Sequence, residues 1–313
     1  MPLAVHYTQP PEWRWYILGY FLLAGLAGGA YLLGTLLRLA GRPSDEPASR
    51  LSFLLALPLT ALCPLLLIVD LGQPVRFWHM MVDAGVQGPA INFKYLSPMS
   101  LGVWGLAVFA VFVALTFLEV VATDGRYAYP GSRLVAAVLG GFLGRIVNVI
   151  GSVFGLFVAG YTGVLLSVSN QPVWSDTYAL GGLFLASGLS GAGALLILCA
   201  PWRRGAEASE DGLAGADSFF ALLELGFLIV LFATLAVAGQ LTQAVGPPWF
   251  VLWAIVLLSL VPPLAGRLTS RLTVGPGGTA ALTNVRVSAA ATAVLVLVGM
   301  IALRVAVLWS AQS

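Results

Sequence analysis

The sequence predicts an all-α integral membrane protein whose eight transmembrane helices form two parallel-repeat four-helix bundles, with both termini outside. Three observations predict it. Of 313 residues, 59% are hydrophobic and only 9% charged, against about 25% charged in a soluble domain. Apolar runs recur that each approach the ~20 residues needed to cross a hydrocarbon core about 30 Å thick. Finally, Lys and Arg fall unevenly on the two sides of those runs. The net charge of +2, with no basic run, excludes a nucleic-acid surface.

The first run, Trp15–Leu39, has no basic segment ahead of it and no small-residue cleavage signature, so it reads as a retained span. The second, Leu51–Val69, ends against Asp70. Tyr95–Leu118, Ile146–Ser167, Ala179–Trp202, Ser218–Gln240, Trp249–Gly266 and Val287–Trp309 follow, separated by segments that hold most of the Pro and charged residues. These runs are too long, and too apolar on both faces, for the alternating strands of a barrel. With the N-terminus outside, the cytoplasmic side receives Arg38, Arg42, Arg50, Arg126, Arg133, Arg145, Arg203, Arg204, Arg267, Arg271 and Arg286. Arg14, Arg76, Lys94 and Arg304 stay outside, and eleven against four sets the orientation. Trp13, Trp15, Trp174, Trp249 and Trp309 then fall near the outer interface and read as headgroup-depth anchors.

Phe21–Ala30 resembles Phe184–Gly193, and four spans separate the two segments. That spacing predicts a parallel duplication inside one membrane domain, 1–313, with a first half over 13–174 and a second over 177–309. The pairs Gly25/Gly29, Gly151/Gly155 and Gly188/Ala192 have the small-xxx-small spacing that lets helix backbones approach closely. Cys63 and Cys199 lie inside apolar runs and read as small buried hydrophobes.

An ionisable group in lipid costs about 2.5–3.5 kcal/mol on insertion scales, so chemistry is sought where such groups gather. Asp70 closes the second span, and the loop after it carries Arg76, His79, Asp83, Asn92 and Lys94. Tyr16 and Tyr20 lie near the outer start of the first span, and Tyr161 and Thr162 near the outer end of the fourth. Hydroxyls, a carboxylate and cations thus converge beside an apolar bundle, which suits an amphipathic ligand such as a quinone. An interfacial Asp70–Arg76 ion pair is the alternative at that end, as is a plain loop role for His79. At the inner side Glu119 and Arg145 would neutralise one another. Glu224, about two turns into the sixth span, is either a buried hydrogen-bonded carboxylate or, with Glu119, a step in a proton path. The only histidines, His6 and His79, lie outside the spans and the two cysteines are dispersed. The protein is therefore expected to carry no haem, no iron–sulphur cluster and no metal.

The segments Phe21–Gly34, Asp70–Trp78, Asn92–Trp104, Tyr161–Trp174 and Phe184–Leu196 resemble the NrfD/PsrC family. Its members are the membrane subunits of polysulphide reductase, nitrite-reductase-associated and related molybdopterin oxidoreductase complexes. Asp-Leu-Gly-x-Pro with Arg-Phe-Trp, followed by Ser-Pro-Met-Ser-x-Gly, is the specific combination, and the resemblance runs from about Trp13 to Leu196. It implies a multi-pass subunit of a bacterial or archaeal cytoplasmic (inner) membrane, with a menaquinone or ubiquinone site near the outer face. Electrons would pass between that site and an iron–sulphur partner subunit with four 4Fe–4S-type clusters, then to a molybdopterin or other catalytic subunit. Tyr161 matches the family's quinone-contacting tyrosine, and Asp70 the acidic residue closing the second helix. Where polysulphide-reductase members place His and Asn in the first helix, this chain has Tyr20 and Ile17. Tyr161 and Tyr20 would bind the carbonyl oxygens and Asp70 would exchange protons, with Arg76 or His79 tuning it or docking the partner. Two other classes stand beside this one: a secondary transporter with a site between repeats, which requires broken helices, and a passive anchor.

Overall fold

The structure is a computed structural model that describes residues 11–83, 88–124, 129–272 (267–272 as backbone) and 289–312. His6, Arg126 and Arg286, and the side chains of Arg267 and Arg271, lie outside the described residues. In chain order the helices are α1 (Trp15–Ala40), α2 (Glu46–Asp70), α3 (Pro98–Asp124), α4 (Ser132–Leu139) and α5 (Phe142–Ser167). Then come α6 (Leu180–Cys199), α7 (Glu210–Ala238), α8 (Leu241–Val245), α9 (Phe250–Leu272) and α10 (Ala289–Ser310). Strands β1 (Val82–Asp83) and β2 (Ala90–Ile91) pair antiparallel in the loop after α2.

Among the described residues, seven helical runs are long and apolar enough to cross a membrane, namely those built on α1, α2, α3, α5, α6, α7 and α10. The expected seventh span falls on α9, whose described side chains cover Phe250–Gly266, an apolar helical stretch that is not among those seven. Helix α7 starts earlier than the hydropathy predicts, at Glu210, because acidic Glu210 and Asp211 occupy its first turn, where the helix dipole favours them. It ends at Gly239, whose φ of +75° lets the Gln240 N–H reach the Leu235 carbonyl, at 2.9 Å.

Helices α1, α2, α3 and α5 pack in a closed ring, and α6, α7, α9 and α10 in another. The rings meet along α1 and α6, the two most enclosed helices: 72% and 78% of their apolar windows are buried, against 28% and 33% in α2 and α3. Small residues create that seam. A Cβ on Gly25 would stand 3.4 Å from the Gly188 Cα, and one on Gly29 would stand 2.7 Å from the Ala192 Cβ, so 25 faces 188 as 29 faces 192 and the two helices run parallel. Gly28 and Gly155 meet in the same way between α1 and α5. The anticipated packing role of the Gly25/Gly29, Gly151/Gly155 and Gly188/Ala192 pairs is thus what the helices use. The outer surface of the rings carries exposed Leu65, Val111, Phe142, Ile229 and Val298, an apolar exterior that lipid satisfies and water does not.

The beginning of α1 and the end of α10 lie at one end of the bundle. The Trp13 N–H donates to Gln312 Oε1 at 2.8 Å, and the Trp15 and Trp309 rings meet edge to face at 4.5 Å. Trp174 departs from expectation, being core rather than an interfacial anchor. It is fully buried, its indole N–H donates to the Val307 carbonyl at 2.7 Å, and Trp13 stacks on it at 5.3 Å. The turn that brings it inward puts Val173 at φ +71°, a strained conformation for a β-branched residue, with the Val173 N–H held by Asp176 at 3.0 Å. Arg304 also departs: it is not in an outer flank but fully buried within α10.

Candidate functional site: a cavity at one end of the first ring

Helical periodicity turns one face of each helix of the first ring toward a common space. On α2 that face is Thr60, Pro64 and Leu67, with Leu71 just past its end; on α3 it is Met99, Gly102, Leu106 and Ala110. Together with Ile17, Tyr20 and Phe21 of α1 and Tyr161 and Leu165 of α5, they enclose a cavity of about 430 Å³. That lies within the roughly 300–1,000 Å³ typical of small-molecule sites. The 3₁₀ turn Pro74–Met80 lies over the cavity, and Phe77, Met80 and Met81 reach it. The lining is almost wholly apolar, and its polar side chains are Tyr20, Thr60, Asp70 and Tyr161.

Tyr161 is held from two sides. Its hydroxyl donates to the Pro98 carbonyl at 2.5 Å, and its ring stacks on Phe157 at 5.4 Å. Gly102 makes that position available, since a Cβ there would overlap the tyrosine ring. Tyr20 is buried, with Cys63 and Tyr161 as its electrostatic neighbours, and its hydroxyl makes no hydrogen bond among the described residues. Ile17, one turn before it, is also on the wall. Asp70 stands exposed at the mouth, on the last residue of α2, where carboxylate and helix C-terminus are both negative. The cation that acts on it is Arg14.

The expected Asp70–Arg76 ion pair does not form. A 3₁₀ turn repeats every three residues, so directing Phe77 and Met80 to the cavity directs Arg76 and His79 elsewhere. Both are exposed; the His79 ring stacks on Trp78 at 3.8 Å, and Asn92 Nδ2 donates to the His79 carbonyl at 3.1 Å.

Glu119 is buried near the C-terminal end of α3, and its partner is Arg38, at 2.8 Å, rather than Arg145, which is exposed. Arg38 also donates to Asn148 Oδ1 at 3.2 Å, Asn148 Nδ2 to Thr116 at 3.1 Å, and Thr116 bonds the Tyr31 hydroxyl at 2.7 Å. These hydrogen bonds carry a polar path from that end toward the middle of the first ring. In the second ring Glu224 is buried on α7, with Arg304 and Asp217 acting on it. Arg304 donates to the Phe21 and Phe184 carbonyls at 3.3 and 3.1 Å and to the Ser187 hydroxyl at 2.7 Å, and lies over the Phe184 ring. Asp217 accepts from Ser190. Sequence reasoning missed Arg304, Asp217, Asn148 and Thr60. A lone arginine inside an apolar run was itself a signal for Arg304, whereas Asp217 sat one residue before the expected start of its span. Among the described residues no cluster of His, Cys, Asp or Glu is arranged to hold a metal ion.

A ring of membrane-spanning helices around an apolar cavity with a few polar groups is the architecture of a multi-pass membrane protein. The family model for polysulphide reductase, NrfD, matches residues 5–313, and the protein belongs to that family. It is 30% identical over 247 residues to a polysulfide reductase polypeptide of Wolinella succinogenes, a match that spans 74% of this sequence and 73% of that one. It is 27% identical over 197 residues to protein NrfD of Escherichia coli, spanning 59% and 58%. A shorter match to a selenate reductase polypeptide of Mesobacillus selenatarsenatis is 26% identical over 113 residues, spanning 36% and 24%.

Proposed function

We propose that this protein is the quinone-reactive membrane subunit of a respiratory oxidoreductase, exchanging electrons between the membrane quinone pool and an iron–sulphur partner. The observation that carries the reading is the cavity itself, apolar along its length with Tyr20, Tyr161 and Asp70 on its wall and at its mouth. Oxidation of a quinol to the quinone releases two electrons and two protons. Tyr20 donates a hydrogen bond to one ring oxygen; Tyr161 serves the other by turning its proton from the Pro98 carbonyl to the quinone carbonyl or by accepting from the quinol hydroxyl; and Asp70, at the exposed mouth, takes up and passes on protons. Arg76 and His79, exposed on the turn above the cavity, serve partner docking. Glu119 and Glu224 are the buried carboxylates of a proton path, Glu119 within the hydrogen-bonded path to Tyr31 and Glu224 beside Arg304.

The names of the relatives extend the reading to the assembly. Polysulfide and selenate reductases imply a catalytic subunit, of molybdopterin or another type, beyond the iron–sulphur subunit. The bound quinone is menaquinone or ubiquinone. We take the protein to lie in a bacterial or archaeal cytoplasmic membrane, with α9 as an eighth crossing and both termini outside. The parallel α1–α6 seam and the two helix rings support a duplicated arrangement with halves over 13–174 and 177–309. A transporter site between repeats would ask for interrupted helices, and α1 and α6 run unbroken through the seam.

The test is quinol oxidation by the purified complex together with analysis of its extracted lipids. Quinone in the wild-type extract, with turnover lost in Tyr161→Phe and Asp70→Asn complexes of normal composition, is the expected result. Full turnover by both variants would make the protein a passive anchor.

A further inference from the structure

The inner end of the cavity holds a polar atom that nothing in the protein satisfies among the described residues. Thr60 is 2% exposed, its Oγ1 is buried without a hydrogen-bond partner, and the residue lines the cavity. A helical threonine ordinarily returns its hydroxyl to a carbonyl one turn back. Thr35, Thr123, Thr162 and Thr234 all do so, at 3.0, 2.9, 3.0 and 2.9 Å. Thr60 forgoes that bond, and a buried hydroxyl left unpaired costs free energy that a valine of the same shape would not. Pro64, one turn on and also on the cavity wall, has no N–H to give to the Thr60 carbonyl. At one point on α2, therefore, a donor and a backbone acceptor are both released from the helix.

The position gives this meaning. Ten residues of α2 separate Thr60 from Asp70, about 15 Å at 1.5 Å per residue, so the hydroxyl marks the deep end of a space whose mouth carries the carboxylate. Cys63, three residues on from Thr60, is an electrostatic neighbour of Tyr20. Tyr20 and Thr60 thus stand on facing helices across the inner part of the cavity.

We propose that Thr60 is a ligand-binding residue that anchors the inner oxygen of the quinone ring. This rests on the quinone reading above. Tyr161 has a single hydroxyl proton, already given to the Pro98 carbonyl, so in this arrangement it can accept from a quinol hydroxyl but has no proton to give a quinone carbonyl. A threonine hydroxyl donates to the carbonyl oxygen of the quinone and accepts from the hydroxyl of the quinol, so it holds both redox forms at one depth.

The experiment compares wild type, Thr60→Val, Thr60→Ser and Tyr161→Phe as full-length proteins in lipid nanodiscs. The probe is a short-tailed 1,4-naphthoquinone carrying carbon-13 at its carbonyls. Thr60→Val is expected to weaken quinone binding five- to tenfold and to raise one carbonyl stretching band toward its unbound frequency. The same variant should melt no lower than wild type without quinone, because it removes an unpaired polar atom. Thr60→Ser should restore both affinity and band. A merely structural role would lower the melting point instead, and that result overturns the proposal. So does wild-type affinity with an unshifted band in Thr60→Val while Tyr161→Phe binds weakly, which leaves the quinone site standing. Failure of the wild-type protein to bind the quinone at all overturns both readings together.

Discussion

Gly25 and Gly188 meet backbone to backbone, each standing where the other's side chain would be: a Cβ on Gly188 would lie 3.0 Å from the Gly25 Cα. Valine at either position must push α1 and α6 apart along the whole seam. Overpacking of this kind costs about 1–3 kcal/mol, and Gly188→Val is expected to lower the thermal midpoint in detergent accordingly. Gly226→Ala on α7, where nothing lies within 4 Å, is the control and should leave it unchanged.

Arg304 satisfies acceptors on α1, α6 and α10 at once, besides facing Glu224. Removing it leaves those buried acceptors without their donor, at about 1–3 kcal/mol each. Arg304→Met should therefore assemble poorly, and adding Glu224→Gln should recover part of the loss. The amount of folded protein recovered from membranes, with its melting point, measures both steps.

Gly102 offers a way to disturb Tyr161 without touching its chemistry. A methyl at 102 would occupy the tyrosine ring's place, so Gly102→Ala should break the Tyr161–Pro98 hydrogen bond. A loss of about 1.4 kcal/mol in binding is tenfold, and quinol oxidation is expected to fall by about that factor, as in Tyr161→Phe. Normal turnover in Gly102→Ala would mean that the ring position is immaterial.

At the C-terminal end of α3 Asp124 holds Arg50 at 2.5 Å and Arg203 at 2.6 Å, tying α2, α3 and the segment after α6 together. Its side chain is 17% exposed, so the pairs are partly screened and Asp124→Asn should cost about 1 kcal/mol. The gap between variant and wild type should narrow in 1 M salt, where the screening length falls to about 3 Å. An unchanged gap would assign the effect to hydrogen bonding alone.

Much of this architecture was legible because bilayer thickness writes itself into sequence as run length, and close helix approach as glycine spacing. The Gly25/Gly29 and Gly188/Ala192 pairs announced the seam they make. What the sequence concealed was direction. Trp174 looked like an interfacial anchor because its position along the chain carries no sign of the turn at Val173 that buries it. Arg76 and His79 looked like neighbours of Asp70 because loop proximity was read without the threefold repeat of a 3₁₀ turn. Glu119 was matched to Arg145 by nearness to span ends, while its real partner, Arg38, sits on a helix far earlier in the sequence. Thr60 was invisible, since an unpaired hydroxyl is a property of packing and every threonine reads alike as a letter.

The bond between Trp13 and Gln312 closes the molecule across 299 positions of sequence. At ribosomal speeds of about 5–20 residues per second, the first helix waits roughly 15–60 seconds in the lipid before its outer end meets its last neighbour. Through that interval α1 exposes a glycine-rich face to lipid, and the acceptors reserved for Arg304 stay unmet until α10 arrives. A nascent polypeptide that stalls before α10 therefore leaves a recognisable gap in the middle of the bundle.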